Sequence, residues 1–595
     1  MKVWANLAAT ALAVASPLAG ARPHDTVFGA GGFETITDRP ANAAEASRFL
    51  TQATFGPTSA DISKVMMLGY GEWIEEQLGL PATLSEPNVE AVSNNRAKAM
   101  QPAPGQGTRI DRWMWQATYA PDQLRQRMAF ALSQIFVVSD QSSAISGDIV
   151  PMAAYQDLLA KDAFNIYVST LSDVTLNPTM GKFLSSFHNQ RGNCTAPPNV
   201  TCTTNPDENY AREVMQLFSI GLVELNLDGT LPSGQEIPTY DQTVIGHTAK
   251  VFTGFTYVDA PRGATGGGTG QANFFGGGVT FATQYAPMAC WGTDIFPAGD
   301  SNIRHDPTGD DNTGGTNKTV LDGATIAPGQ KCSKDLSDEL NIINEHPNVA
   351  PFISKQLIQR FVTSNPSPAY VQRVATVFED NGFGDRGDLG DVLKAILTDT
   401  EARNPPALAS GDTYGKLREP LISLIAMWRA FDAVAPAADP YGEIKMTGGV
   451  NFQGSFGQAP LEAPTVFNFY PPDYEQLGTL SDAGKVAPEF ALISEATTYS
   501  IPNQFNKFTQ GGYQGMSSPP TDRPLISLAS LTPNVNNSAA LVATINAKML
   551  YGSMSATMQD KLESMIDNLA GSSNAEIAWS AIYVTMMSPE YATQR

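Results

Sequence analysis

A chain of 595 residues is too long for one hydrophobic core, and 42% hydrophobic with 16% charged residues excludes a coiled coil, a collagen-like rod and a disordered tail. With 37 basic against 59 acidic residues the net charge is −22 and nothing basic clusters, which argues against nucleic acid or an anionic membrane surface as partner. Five His and four Cys leave few soft metal ligands.

The first element is a leader. Lys2 gives a positive start, Val3 to Leu18 is rich in Ala, Leu and Val, and Ala19-Gly20-Ala21 carries the small residues a signal peptidase needs. This predicts a signal peptide over 1–21 and an exported chain, in the periplasm, at the cell surface or outside the cell. No later segment approaches the roughly 18 uncharged apolar residues of a transmembrane span. Residues 22–42 read as a flexible arm.

From Ala43 onward the apolar period is helical. Helices are expected over 43–54, 59–79, 109–119, 121–138, 151–160, 163–175, 178–187, 206–220, 240–253, 334–345, 347–363, 368–381, 388–399, 416–434, 484–498, 537–549, 556–571 and 574–587. Asn205-Pro206-Asp207-Glu208 reads as a capping box with Pro at the first helical position, and Thr239-Tyr240-Asp241-Gln242 as a second one. Between 256 and 333 Gly, Asp, Asn and Thr take over and no helical period survives. The expected fold is mainly α: a multi-helix orthogonal array with a Gly/Asp-rich irregular insertion bearing a few short strands. Its parts are an N-terminal helical region (43–255), a Gly-rich disulfide-pinned insertion (256–333) and a C-terminal helical region with long loops (334–595).

The four cysteines allow three pairings. The local one, Cys194–Cys202 with Cys290–Cys332, would pin two loops too poor in apolar residues to fold by themselves. Zinc is the rival, but no C-x-x-C or H-x-x-x-H spacing supports it.

Chemistry concentrates in two places. On helix 206–220, Tyr210, Val214, Leu217, Phe218 and Ile220 form one apolar arc, and Glu213 falls inside it. A carboxylate there must be paired, coordinated or protonated. Arg127, flanking the stripe Leu124, Met128, Ala131, Leu132 and Ile135, is the expected partner. Glu208 and Arg212 sit on the other side in i,i+4 polarity. The second place is Arg304-His305-Asp306, followed by Lys318. An adjacent His and Asp can hold a metal or accept a proton. Asp310, Asp311 and Asn312 add oxygens that would suit calcium, without the spacing of an EF-hand. The plainer reading is a turn with self-bonding Asp and Asn side chains. His188 and Asn189 read as polar groups at a helix end, His247 as a core-edge residue and His346 as a linker. No G-x-S-x-G elbow, Walker loop, G-x-G-x-x-G or H-E-x-x-H is present.

These segments resemble a large bacterial family catalogued as domain of unknown function eighteen-hundred, from about residue 45 to the C-terminal region. The blocks that carry the resemblance are Ala46-Ser47-Arg48-Phe49-Leu50-Thr51-Gln52-Ala53-Thr54-Phe55-Gly56-Pro57, then Arg125 to Ser139, and most specifically Asn205-Pro206-Asp207-Glu208-Asn209-Tyr210-Ala211-Arg212-Glu213-Val214-Met215-Gln216-Leu217-Phe218. Phe252-Thr253-Gly254-Phe255, His305-Asp306 with Lys318, and Gly457-Gln458 with Pro464 to Phe469 complete the set. This chain has Leu132-Ser133 where many relatives carry Trp-His, and Lys250 where they tend to have Arg. The resemblance implies an exported helical protein, often encoded beside a secreted partner resembling the alkaline phosphatase and sulfatase superfamily. It implies no reaction.

Two functional readings follow. The first is an exported scaffold or binding protein working with a secreted partner at the cell envelope. The second is a hydrolase acting on an envelope or extracellular polymer. Its candidate catalytic set is Glu213 as acid or base, with Arg127, Arg212, Glu208, Asn209, His305 and Asp306 around it.

Overall fold

A computed structural model describes residues 38–192, 204–263, 272–298, 300–309, 316–405, 414–509, 520–569 and 571–595. The leader, most of the arm, Cys194, Cys202, Asp310, Asp311 and Asn312 lie outside the described residues. The fold is mainly α, with 52% of residues helical. The strands are two residues long and pair antiparallel: Phe255–Thr256 with Ala289–Cys290, Lys318–Thr319 with Thr325–Ile326, and Lys416–Leu417 with Thr593–Gln594. Two of the three pairs lie in or beside the Gly-rich insertion, as expected there.

Most helices form where the apolar period predicts them, but several boundaries move. The expected helix 59–79 breaks into Ser59–Leu68 and Tyr70–Gly79 at Gly69. Gly69 has φ +97°, and a Cβ there would stand 2.8 Å from Asp38 Oδ2, so only glycine makes this turn. The expected helix 206–220 shrinks to Asn209–Gln216. Asp207, not Asn205, takes the Asn209 N–H, at 2.8 Å, which delays the start. The second capping box is also replaced: Asp241 accepts from Thr243 and Val244 N–H and starts Gln242–Val251. Several helices of four or five residues escaped the pattern, and so did one long one, while the helix expected over 484–498 forms further on, as Glu495–Thr509, with only a short 3-10 turn Pro488–Leu492 before it. Glu86–Lys98 buries only Val89 and Val92, too little apolar surface to show a period. Glu495–Thr509 contains Pro502, which reads as a breaker in sequence.

Two principal hydrophobic cores organise the helices. One gathers Phe49, Leu124, Met128, Tyr167, Leu357 and Phe378; the other gathers Trp113, Phe130, Trp428, Phe505, Ile545 and Ile582. Helix Gln123–Ser133 serves both, since Leu124 and Met128 face one core while Phe130 faces the other. Arg127 lies on this shared helix. The insertion has a small core of its own, Ala260, Phe274, Trp291, Phe296 and Ile303, and the Cys290–Cys332 disulfide ties it to helix Cys332–Glu345.

Candidate functional site: a polar pocket at the start of helix Asn209–Gln216

The predicted site residues do not meet in one place. Glu213 is buried, at 6% exposure, but its expected ion pair with Arg127 is not formed. Burial raises the Glu213 carboxyl above its usual range, the charge of Arg212 pulls it back, and Oε2 has no hydrogen-bond partner among the described residues. Arg127 is turned to the junction of the two cores. There it donates from Nη2 to Arg360 O at 2.6 Å, packs 4.9 Å from the Phe361 ring, and feels the carboxylates of Glu419 and Glu489. The shared helix therefore aims its arginine away from Glu213. Glu208 and Arg212 do pair, at 3.2 Å, with both side chains partly exposed. Glu208 also accepts two hydrogen bonds from Gln242 Nε2, at 2.9 and 3.0 Å. Asn209 is exposed.

His305 and Asp306 form no open acid–base pair. His305 Nε2 lies 3.0 Å from Asp335 Oδ2, the oxygen that also receives Lys318 Nζ at 2.7 Å, and Gln330 donates to Oδ1 at 3.0 Å. His305 Nδ1 faces Thr253 O at 3.1 Å. Burial pushes the Asp335 carboxyl up, yet the hydrogen bond from His305 and the Lys318 ammonium hold it below the usual range. Asp306 is buried as well, which raises it; its backbone N–H donates to Thr253 Oγ1 at 2.7 Å. Asp335 was not foreseen, because it stands on a helix far along the chain. The sulfurs of Cys290 and Cys332 and a nitrogen of His305 lie within 4.8 Å of one another, but the sulfurs are bonded to each other and so are not thiolate ligands.

The structure instead opens a pocket of about 840 Å³ beside the start of helix Asn209–Gln216, within the size range of small-ligand sites. Its lining includes His188, Asn189, Arg191, Asn205, Asp207 and Arg304. Three segments are stitched together to make it. Arg191 N–H donates to Arg304 O at 2.8 Å, which sets the two guanidinium-bearing residues side by side. The Asn189 amide bonds Asp207 both ways, donating to its O at 3.0 Å and accepting from its N–H at 2.9 Å. Gly254 N–H donates to Asn189 O at 2.8 Å.

Ser185 and His188 on the pocket wall have φ +63° and +65°, left-handed values that non-glycine residues seldom adopt. Such strain persists only where the surroundings over-determine it, and it gathers at functional sites. The His188 ring is held 3.8 Å from Phe187, centroid to centroid, and 3.0 Å from Thr256 Oγ1. Burial, with the Lys182 charge, lowers its pKa to about 4, so it is a neutral imidazole at physiological pH. Burial and the neighbouring Arg191 lower the Arg304 guanidinium. His188 and Asn189 are thus pocket walls rather than a plain helix end. Of the predicted constellation Arg304-His305-Asp306, it is Arg304 that reaches the open site. The signal for this was the position of Asp207 inside the most specific motif.

The fold and the pocket define a mainly helical protein with a polar recess lined by Asn205 and Asp207 of its most specific motif. The family model described as "Protein of unknown function (DUF1800)" matches residues 48–593, and the chain belongs to that family. No curated protein and no solved structure matches it.

Proposed function

We propose that this is an exported helical binding protein that works with a secreted partner at the cell envelope and receives its ligand in the Arg191–Arg304 pocket. The observation that carries the reading is the dispersal of the expected acid–base groups. Glu213, Arg127 and the adjacent His305 and Asp306 are buried in three separate surroundings, while the open recess presents guanidinium, amide and carboxylate groups suited to recognition. Two adjacent guanidiniums favour a ligand group carrying negative charge. Export rests on the leader over 1–21. A partner of the alkaline phosphatase and sulfatase kind rests on the family resemblance.

The test is a thermal-shift panel of sulfate, phosphate, oligogalacturonate and neutral oligosaccharides, run on the parent and on Arg191→Gln/Arg304→Gln. A ligand that raises Tm in the parent and not in the double variant supports the reading. No shift with any member, or an equal shift in both proteins, counts against it.

One observation favours the hydrolase instead: Glu213 has a raised carboxyl and an unpartnered Oε2, the state of a general acid. Turnover of an envelope polymer that vanished in a folded Glu213→Gln protein would move the assignment there.

A further inference from the structure

Where the two cores meet, five charged side chains are shut away from solvent. Arg127, Arg360, Lys416, Glu419 and Glu489 are each no more than 4% exposed. Lys416 Nζ lies 2.8 Å from Gln359 O, 2.9 Å from Arg360 O and 2.8 Å from Glu489 Oε1. Two carbonyls take hydrogen bonds from the Lys416 ammonium, and the Glu489 carboxylate beside it is its counter-ion. Glu419 alone then remains for two guanidiniums. Its Oε2 accepts from Gln134 Nε2 at 2.9 Å and from Gln458 Nε2. Burial pushes the Glu419 carboxyl up, but Lys416 and Arg127 hold it below its usual range, so it is ionised.

Among the described residues, three cations against two carboxylates leave one positive charge over. Arg127 Nε and Nη1 and Arg360 Nε have no acceptor among the described residues, and the Tyr470 hydroxyl is unbonded as well. The Phe361 ring stands 4.9 Å from the Arg127 guanidinium and the Tyr470 ring 4.6 Å from that of Arg360. An unbalanced charge walled in by aromatic rings is among the costliest things a fold can bury. We propose that a small monovalent anion of the halide class sits among Arg127, Arg360 and Tyr470 and balances this charge. Glu419 Oε1 and the amide oxygens of Gln134 and Gln458, also unbonded, take ordered water, which adds no charge.

The test uses the whole protein. Crystals grown in sodium bromide should give an anomalous peak within about 3.5 Å of the Arg127 and Arg360 nitrogens, a usual contact range for such donors. Density there without an anomalous signal, the result for water alone, overturns the proposal. In solution, chloride should raise Tm saturably, by about 2 °C or more over gluconate at equal ionic strength, since a ligand of the folded state alone stabilises it. Arg127→Met removes the surplus charge and should abolish that dependence. If this variant does not fold, the bromide map of the parent decides. A Tm indifferent to the identity of the anion also refutes the site.

Discussion

His305 and Lys318 share one oxygen of Asp335, reaching it at 3.0 and 2.7 Å, with all three residues buried. The histidine that looked like a proton acceptor in sequence is therefore a structural donor, fastened beneath the Cys290–Cys332 disulfide.

Asp335→Asn should cost about 3–5 kcal/mol, because it leaves the buried Lys318 ammonium without its carboxylate. Urea unfolding at neutral pH measures this. The folded Asp335 carboxyl lies below its unfolded value, so its contribution is complete above the unfolded pKa and is lost as pH falls through the folded one. As pH falls from the unfolded value through the folded one, the parent should lose its advantage over the variant.

Glu213→Gln should leave Tm unchanged or raise it at pH 7. The folded carboxyl is raised by burial and has no Arg127 beside it, so its stabilising form is the protonated one, favoured at low pH and lost as pH rises through the folded pKa. The amide removes that penalty. Calorimetry of both proteins at pH 5 and pH 7 checks it, and a fall in Tm at pH 7 would show that the carboxylate has a partner after all.

His188 should make the fold acid-sensitive without making the pocket so. Its pKa of about 4 lies below the unfolded 6.5, so the stability tied to the neutral ring is whole above pH 6.5 and declines between pH 6.5 and 4. His188→Asn keeps a residue that tolerates φ +65° and should flatten this part of the pH–stability curve. NMR titration of the ring should show no protonation above pH 5.5.

Replacing Cys290 and Cys332 together with serine should lower stability by about 2–4 kcal/mol, the usual worth of a bridge closing a long loop. Limited proteolysis should then cut first between 256 and 331. An unchanged digestion pattern would mean that the small core around Trp291 holds the insertion alone.

The helices with a strong apolar stripe, such as Gln123–Ser133, were legible because burial there is local and periodic. Glu86–Lys98 was not, since two valines anchor a helix that is otherwise polar. The site was half legible. Glu213 was rightly placed among apolar neighbours, yet its partner was misjudged, because helical periodicity gives a side chain's direction but not what stands opposite. Arg127 feels the charges of Glu419 and Glu489 from segments distant in the chain, and no spacing rule connects them. The pocket depends on backbone bonds between Arg191 and Arg304, which a string of residue types does not announce.

The pairing of Thr593–Gln594 with Lys416–Leu417 bears on the order of events during folding. Arg418 N–H is satisfied by Ala592 O at 2.7 Å, and Gln594 Nε2 by Phe361 O at 2.6 Å, beside the buried Lys416. Until residues 592–594 pair here, the chain around Lys416 lacks these bonds and the second core lacks Tyr591. Closure of this part of the core therefore waits on a contact between segments far apart in the chain, the kind of pairing that slows folding.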